Sequence, residues 1–232
     1  MIKIYRISDK GNSITLPGIT RQICLDNFLT QFNNDKVYII ADNVEDATYD
    51  NLSKLDVTLI RQNKGNSGAL KTAFELAMTF DDDEIVYFCE DDFLHKENPE
   101  QYLLEGLSIA DYVSLYDHSD KYMTPGPNPY VKHGGEHTIV RLTKSTHWKY
   151  TNSTVQTFAA KVKTLKEDKE LLYKYNFESS TPDSFKTFIS LINNGRTVAT
   201  CIPGRSTHCV FMSPLTDWTT YAKHITADIP QT

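Results

Sequence analysis

The chain has 232 residues, 40% of them hydrophobic and 11% aromatic, which suits one large α/β core and is too apolar for a disordered chain. A formal net charge of -6 at pH 7 offers no broad basic field, so nucleic-acid binding through phosphate contacts is a poor expectation. The N-terminal MIKIYRISDKGNS lacks a leader's apolar run, nothing reaches a membrane span, and the scattered Cys24, Cys89, Cys201 and Cys209 read as free thiols of a reducing compartment; a cytoplasmic protein is expected, with peripheral membrane association left open.

Lys3 to Ile7 reads as a first short strand, and Ser8, Asp9, Lys10, Gly11 and Asn12 as the polar loop after it. Leu25, Phe28, Leu29 and Phe32 recur at helical spacing, with Ile19 a turn earlier. Val37 to Ala41 is a buried strand ending in Asp42 and Asn43. Strand, helix, strand is the start of a right-handed parallel unit. Val57 to Ile60 is a third strand and leads into Arg61 to Leu70, RQNKGNSGAL. The helix that follows carries Ala69, Ala73, Ala77 and Phe80 on one face, small enough to lie close to a sheet. Its amino end, fronted by Gly65 to Gly68, offers backbone amides to an anion; a plain turn and N-cap explains the same glycines.

Ile85 to Phe88 is an apolar run of the kind a strand buried on both faces makes, and Glu90, Asp91 and Asp92 follow at its exit. Adjacent carboxylates repel one another in a dry core, so they should project from the strand's carboxyl end, where a cation compensates them and where open α/β folds place ligands. If strand geometry persists, Glu90 and Asp92 share one side and Asp91 takes the other. An acidic solvated turn is the plain counterpart, and it is the reading for Asp81 to Glu84 at the entry end. Pro99 opens a helix through Leu103, Leu104 and Leu107, and Tyr112 to Tyr116 is the next strand. Tyr122 to Tyr130, rich in proline, resists regular structure. Thr138 to Leu142 resumes as strand, and Val155, Phe158, Val162 and Leu165 make a helical stripe that Leu172 continues. Thr181 is the expected N-cap of a further helix, with Pro182 in its first position, Asp183 in its first turn and Gly195 as its stop. Thr197 to Ile202 is the last strong strand, followed by the loop Pro203 to His208.

In the order of these elements and in the short motifs Ile7-Ser8-Asp9, Asp42, Asn63 with Gly65-Asn66-Ser67, and Glu90-Asp91-Asp92, the chain resembles the GT-A glycosyltransferases, in particular the inverting, family 2-like nucleotide-sugar transferases. The resemblance implies a single α/β domain over 1–232, a Rossmann-type nucleotide-binding sheet flanked by helices, with a nucleotide-binding half of about 1–118 and an acceptor-side half of about 119–232. It implies that Ile7, Ser8, Asp9, Asp42, Asn63, Gly65, Asn66 and Ser67 contact the nucleotide. The family's DXD motif falls on Glu90, Asp91 and Asp92, with glutamate in place of the first aspartate. Asp92 is then the direct ligand of Mn2+ or Mg2+, while Glu90 and Asp91 hold water, ribose or a sugar hydroxyl. The resemblance also offers His208 as a late metal ligand, Arg205 as a diphosphate contact and Asp183 as the base that takes the acceptor proton.

Each of these residues has a plain structural counterpart: a hydrogen-bonded loop histidine, a surface arginine, and an aspartate in a helix's first turn. The implied partners are a nucleoside diphosphate sugar, UDP-sugar favoured, and a carbohydrate or other hydroxyl-bearing acceptor. The competing activity is a sugar-phosphate nucleotidyltransferase, which a basic Gly-rich triphosphate loop after the first strand would signal and which this loop lacks. A non-catalytic carbohydrate-binding protein on the same fold is the third reading.

Overall fold

A computed structural model describes residues 1–11, 14–32, 35–178 and 182–227. The first half alternates strand and helix: β1 (Ile2–Ile7), α1 (Arg21–Gln31), β2 (Val37–Asp42), α2 (Asp46–Leu52), β3 (Thr58–Gln62), α3 (Gly65–Ala77) and β4 (Ile85–Glu90). β1 is buried along its whole length, and pairs in parallel with β2 on one side and β4 on the other; β3 continues the parallel set beyond β2. These apolar runs are strands because both their faces are covered.

Alternation sorts the side chains. Tyr5, Ile7, Ile39, Tyr87 and Cys89 pack with Leu25 and Phe28 of α1 and with Phe32 just after it on one face, and Ile2, Ile4, Ile40, Val86 and Phe88 pack with Ala69, Leu70, Ala73 and Phe74 of α3 on the other. Complete burial stabilises each large apolar side chain by about 1.5–3 kcal/mol. A one-residue slip of β1 or β4 would exchange these two sets, so the register that carries the strand ends into one edge is strongly specified.

After β5 (Phe93–His95), α4 (Pro99–Leu107) and β6 (Tyr112–Ser114) come the hairpin β7 (Val140–Leu142) and β8 (His147–Tyr150), then β9 (Phe158–Lys161), α5 (Val162–Glu167), α6 (Lys169–Phe177), α7 (Ser184–Asn193), β10 (Val198–Ile202), β11 (Ser206–His208) and α8 (Trp218–Ala227). Among the described residues the main sheet runs β3-β2-β1-β4-β9-β6-β10-β8-β7, and β5 and β11 form a separate two-stranded ribbon. This is the mixed α/β sheet flanked by helices that the sequence predicts. All four cysteines are free thiols.

The differences lie in the second half. Phe158 is not part of a helical stripe: it opens β9, whose first three residues, Phe158, Ala159 and Ala160, are fully buried, and the strand fills the slot between β4 and β6 antiparallel to both. The helix begins only at Val162. The spacing of Phe158, Val162 and Leu165 looks helical because strand and helix point these three residues into the same core. Thr181 lies outside the described residues. Asp183 is itself the N-cap of α7, its side chain accepting from the Lys186 amide, and Pro182 therefore precedes the helix. Gly195 ends it as predicted, with φ +89, and the Arg196 amide turns back to the Leu191 carbonyl. The segment after β10 is not a free loop, because Ser206 to His208 pair with His95 to Phe93.

Candidate active site

The chain leaves β4 at Glu90 and turns through Asp91 and Asp92 before β5 begins at Phe93. Alternation therefore does not continue through the acidic cluster, and each carboxylate finds its own partner. Glu90 accepts from Nη2 of Arg6 at 2.8 Å. Asp91 accepts from the Ser8 amide at 2.8 Å and from Nε of Arg21 at 3.1 Å. Asp92 Oδ2 meets Nε2 of His208 at 3.1 Å, while its Oδ1 is buried without a hydrogen-bond partner.

All three line one cleft of about 300 Å3, together with Arg6, Ile7, Ser8, Lys10 and Gly11 from the end of β1, Asp42 and Asn43 from the end of β2, and Gly65, Asn66 and Ala69 from the start of α3. The carboxyl ends of parallel strands thus converge on the amino end of a helix, the usual ligand position of an open α/β sheet. Gly65 has φ +74, a conformation that a residue with a Cβ adopts only under strain and that lets the chain enter α3 directly from the cleft wall. Gly65 to Gly68 form the first turn of α3 itself rather than a loop in front of it.

Burial decides the electrostatics. It pushes the Asp91 carboxyl up to about 6, against the Ser8 amide and Arg21, which pull it down. Burial also raises Glu90, opposed by Arg6 and reinforced by Asp92. Burial lowers the His208 imidazole, but Asp92, with Glu90 and Asp91 behind it, holds it above its ordinary value. In the neutral ring the proton has one place: Nδ1 accepts from the amides of Val210 and Phe211, both at 3.2 Å, so Nε2 carries it and donates it to Asp92.

The fold clamps this pair in place. The Cys209 amide donates to the Asp92 carbonyl at 2.8 Å, the side chain of Asn27 in α1 bonds both the amide and the carbonyl of His95, and Tyr221 of α8 donates to that same carbonyl at 2.6 Å. α1, α8 and β11 therefore all hold the β5 ribbon that follows Asp92.

Of the residues singled out in the sequence, Ile7, Ser8, Asp42, Gly65, Asn66, Glu90, Asp91 and Asp92 line the cleft and His208 reaches it through Asp92. Asp42 is already occupied: Oδ1 accepts from the Lys64 amide and Gln62 Nε2, and Oδ2 from Asn43. Asp9 turns away and accepts from the Glu45 amide and the Thr48 hydroxyl at the start of α2. Asn63 and Ser67 are not part of the lining. Arg205 lies over the Tyr102 ring at 4.3 Å and donates to the Glu97 carbonyl at 2.9 Å, outside the cleft. Asp183 lines a different hollow with His118, Asp120, Lys121 and Thr154; its carboxyl is pushed up by burial but held below its ordinary value by the Lys186 amide and ammonium.

The residue that sequence reading passes over is Arg6. It is 6% exposed, its Nη1 donates to Asn66 Oδ1 at 2.8 Å, and its Nε is buried without a partner. Two buried cations, Lys3 and Arg6, interrupt the otherwise apolar strand IKIYRI, and the one at its carboxyl end is the signal that marks the cleft.

A divalent cation fits Asp92. One buried carboxylate oxygen lacks a partner, and hard cations are commonly held by one or two carboxylates with substrate phosphates and water completing the shell. Among the described residues no group of three or more His, Cys, Asp or Glu side chains is arranged to hold a metal unaided. His208 belongs to the ligand set only if its ring gives up the Nε2 proton; as it stands it steadies Asp92 as a donor.

No family model and no curated protein matches this sequence. Solved structures do resemble it in fold. A nucleotidyl transferase from Methanothermobacter thermautotroptrophicus superposes with a TM-score of 0.53 at 11% identity over 98% of this chain and 99% of that one. CMP:2-keto-3-deoxy-manno-octonic acid synthetase complexed with CTP gives 0.51 at 12% identity, over 98% and 99%. GalNAc-T7 with UDP, GalNAc and Mn2+ gives 0.57 at 12% identity, over 89% of this chain and 43% of that one. At these identities the likeness is one of fold: a Rossmann-like architecture common to nucleotidyltransferases and glycosyltransferases.

Proposed function

We propose that this protein is a nucleotide-sugar transferase, binding a nucleoside diphosphate sugar in the Asp92 cleft and passing the sugar to a hydroxyl-bearing acceptor. One observation carries this reading: the cleft holds an unpartnered buried acceptor, Asp92 Oδ1, and an unpartnered buried donor, Arg6 Nε. A diphosphate with its counter-cation answers both, the phosphate oxygens taking Arg6 and the cation taking Asp92. Mn2+ or Mg2+ bound there would stabilise the negative charge that builds on the departing diphosphate. In the transfer the acceptor's O–H proton goes to a base, a carbon–oxygen bond forms at the anomeric carbon and the bond to the diphosphate breaks. Asp183 is our candidate base for an inverting transfer, although its carboxyl is a weak base tied to Lys186 and the acceptor hydroxyl would have to reach its hollow.

The second reading is nucleotidyl transfer, in which the nucleotide sugar is the product, made from a nucleoside triphosphate and a sugar phosphate. The fold comparisons support it: the Methanothermobacter enzyme and the CMP-sugar synthetase match over nearly the whole of both chains.

One assay separates the two. The protein is incubated with a panel of nucleotide sugars, UDP-sugars first, with Mn2+, Mg2+ or EDTA, and diphosphate release is followed; in parallel, nucleoside triphosphates are offered with sugar 1-phosphates and pyrophosphate is followed. We expect cation-dependent diphosphate release from one donor, reduced by about two orders of magnitude or more in Asp92→Asn, with Asp183→Asn abolishing transfer to the acceptor and sparing donor binding. Pyrophosphate release instead establishes the second reading. Silence in both arms, with no saturable nucleotide binding, leaves a non-catalytic carbohydrate-binding protein.

A further inference from the structure

Strands at the rim of a sheet normally hide one face and protect the other. β7, at the end of the main sheet opposite β3, does neither: Val140 is 51% exposed, Leu142 71%, and Ile139 just before them 57%. Arg141 stands between the aliphatic residues and Lys144 follows them, both exposed. Apolar surface continues inward from here, into a hollow of about 860 Å3 to which Ile139, Tyr150, Ile189, Ile192 and Val198 contribute.

The charge of this rim is opposite to that of the molecule. The whole chain carries -6, yet from Lys132 to His147 the cations Lys132, Arg141 and Lys144 face outward, and against them stand Glu136 within the segment and Glu105 of α4, whose carboxylate is taken up by the Thr143 and Ser145 hydroxyls and the Ser145 amide. The Glu136 carboxylate points inward, accepting from the Asn152 amide and the Thr151 hydroxyl and lying 3.7 Å from Lys149 Nζ. A second copy pairing antiparallel along this edge about its middle residue would set Arg141 against Arg141, which is unfavourable.

We infer that the β7 rim is a docking surface for an anionic lipid bilayer. Ile139, Val140 and Leu142 enter the interfacial layer while Lys132, Arg141 and Lys144 meet the lipid phosphates, so apolar burial and electrostatic attraction act at one place. The contact is peripheral, since among the described residues no helix is long and apolar enough to cross a membrane. It is independent of the proposed chemistry, because none of these residues lines the Asp92 cleft.

The test is flotation of the full chain with vesicles of phosphatidylcholine, with and without phosphatidylglycerol. The protein should rise only with the anionic vesicles and be released at about 0.5 M salt, where charge attraction is screened within a few ångströms. Val140→Ser with Leu142→Ser should lower binding about tenfold, and so should Arg141→Glu with Lys144→Glu. Because Arg141 also lies over the Tyr150 ring, the serine pair is decisive if the charge-reversed pair melts early. Equal flotation with neutral vesicles, no flotation, or binding unchanged in the serine pair overturns the proposal. So does a wild-type dimer in sedimentation velocity that the serine pair dissolves, since a second copy would then cover the rim.

Discussion

Asp91 is the residue in which burial and chemistry pull hardest against each other. Its folded pKa of about 6 lies above the ordinary value of 3.8, with burial as the largest cause. A group with a raised folded pKa contributes stability that is fully present below its unfolded value and lost as pH rises through the folded one. Ionised Asp91 therefore destabilises the ligand-free protein at neutral pH. Asp91→Asn should be the more stable protein at pH 7 in urea titrations, with the difference shrinking as pH falls from about 6 to about 4; a difference that stays constant with pH would show that Asp91 does not titrate in this window. Asp42 and the acidic trio were legible in the sequence because carboxylates that follow buried strands have few places to go. Arg6 was legible in principle and went unread, since attention to apolar alternation treats one cation in a strand as an interruption. Asp9 and Arg205 show the limit of motif matching: adjacency in sequence located the loops, but Asp9 is turned away by hydrogen bonds at the start of α2 and Arg205 by the Glu97 carbonyl and the face of the Tyr102 ring.

At the scale of elements, α7 tests whether Asp183 is a cap or a base. Its side chain accepts from the Lys186 amide at 2.9 Å and pairs with the Lys186 ammonium at 3.0 Å. Asp183→Ala should cost about 1 kcal/mol of stability, the ordinary worth of an N-cap, whereas Asp183→Ser should restore most of it. If serine also restores transfer, the residue is a cap and another group takes the proton; if transfer stays lost in a protein of normal stability, the base assignment holds. The first-half elements other than α2 were readable from periodicity because each is a single amphipathic or fully apolar run. β9 was not, since Phe158 followed by two alanines is too short to display a period of two, and its partners β4 and β6 are distant in sequence. β8, α2 and α8 were passed over for a related reason: they are short or mixed, and hold their form through tertiary contacts such as Trp148 and Trp218, both buried.

For the whole molecule, ligand binding and stability are linked. A donor that binds the folded state alone stabilises it by about 2.7 kcal/mol at a concentration about a hundred times its Kd. A UDP-sugar with Mn2+ should raise the melting temperature of the wild-type protein, and EDTA or Asp92→Asn should remove most of the rise while Asp183→Asn leaves it intact. Equal shifts in all four samples would place the nucleotide away from Asp92.

The ribbon that joins β5 to β11 also sets a schedule. Asp92 leaves the ribosome with the strands that wall its cleft, but Cys209, whose amide holds the Asp92 carbonyl, and His208, which holds the carboxylate, are made on the order of ten seconds later at usual rates of synthesis. Until then β5 has no partner strand and Asp92 lacks both of these braces, although Glu90 and Asp91 already have Arg6, Ser8 and Arg21. A growing chain thus has the walls of the cleft before Asp92 is braced, and the cleft is complete only once translation has passed Cys209.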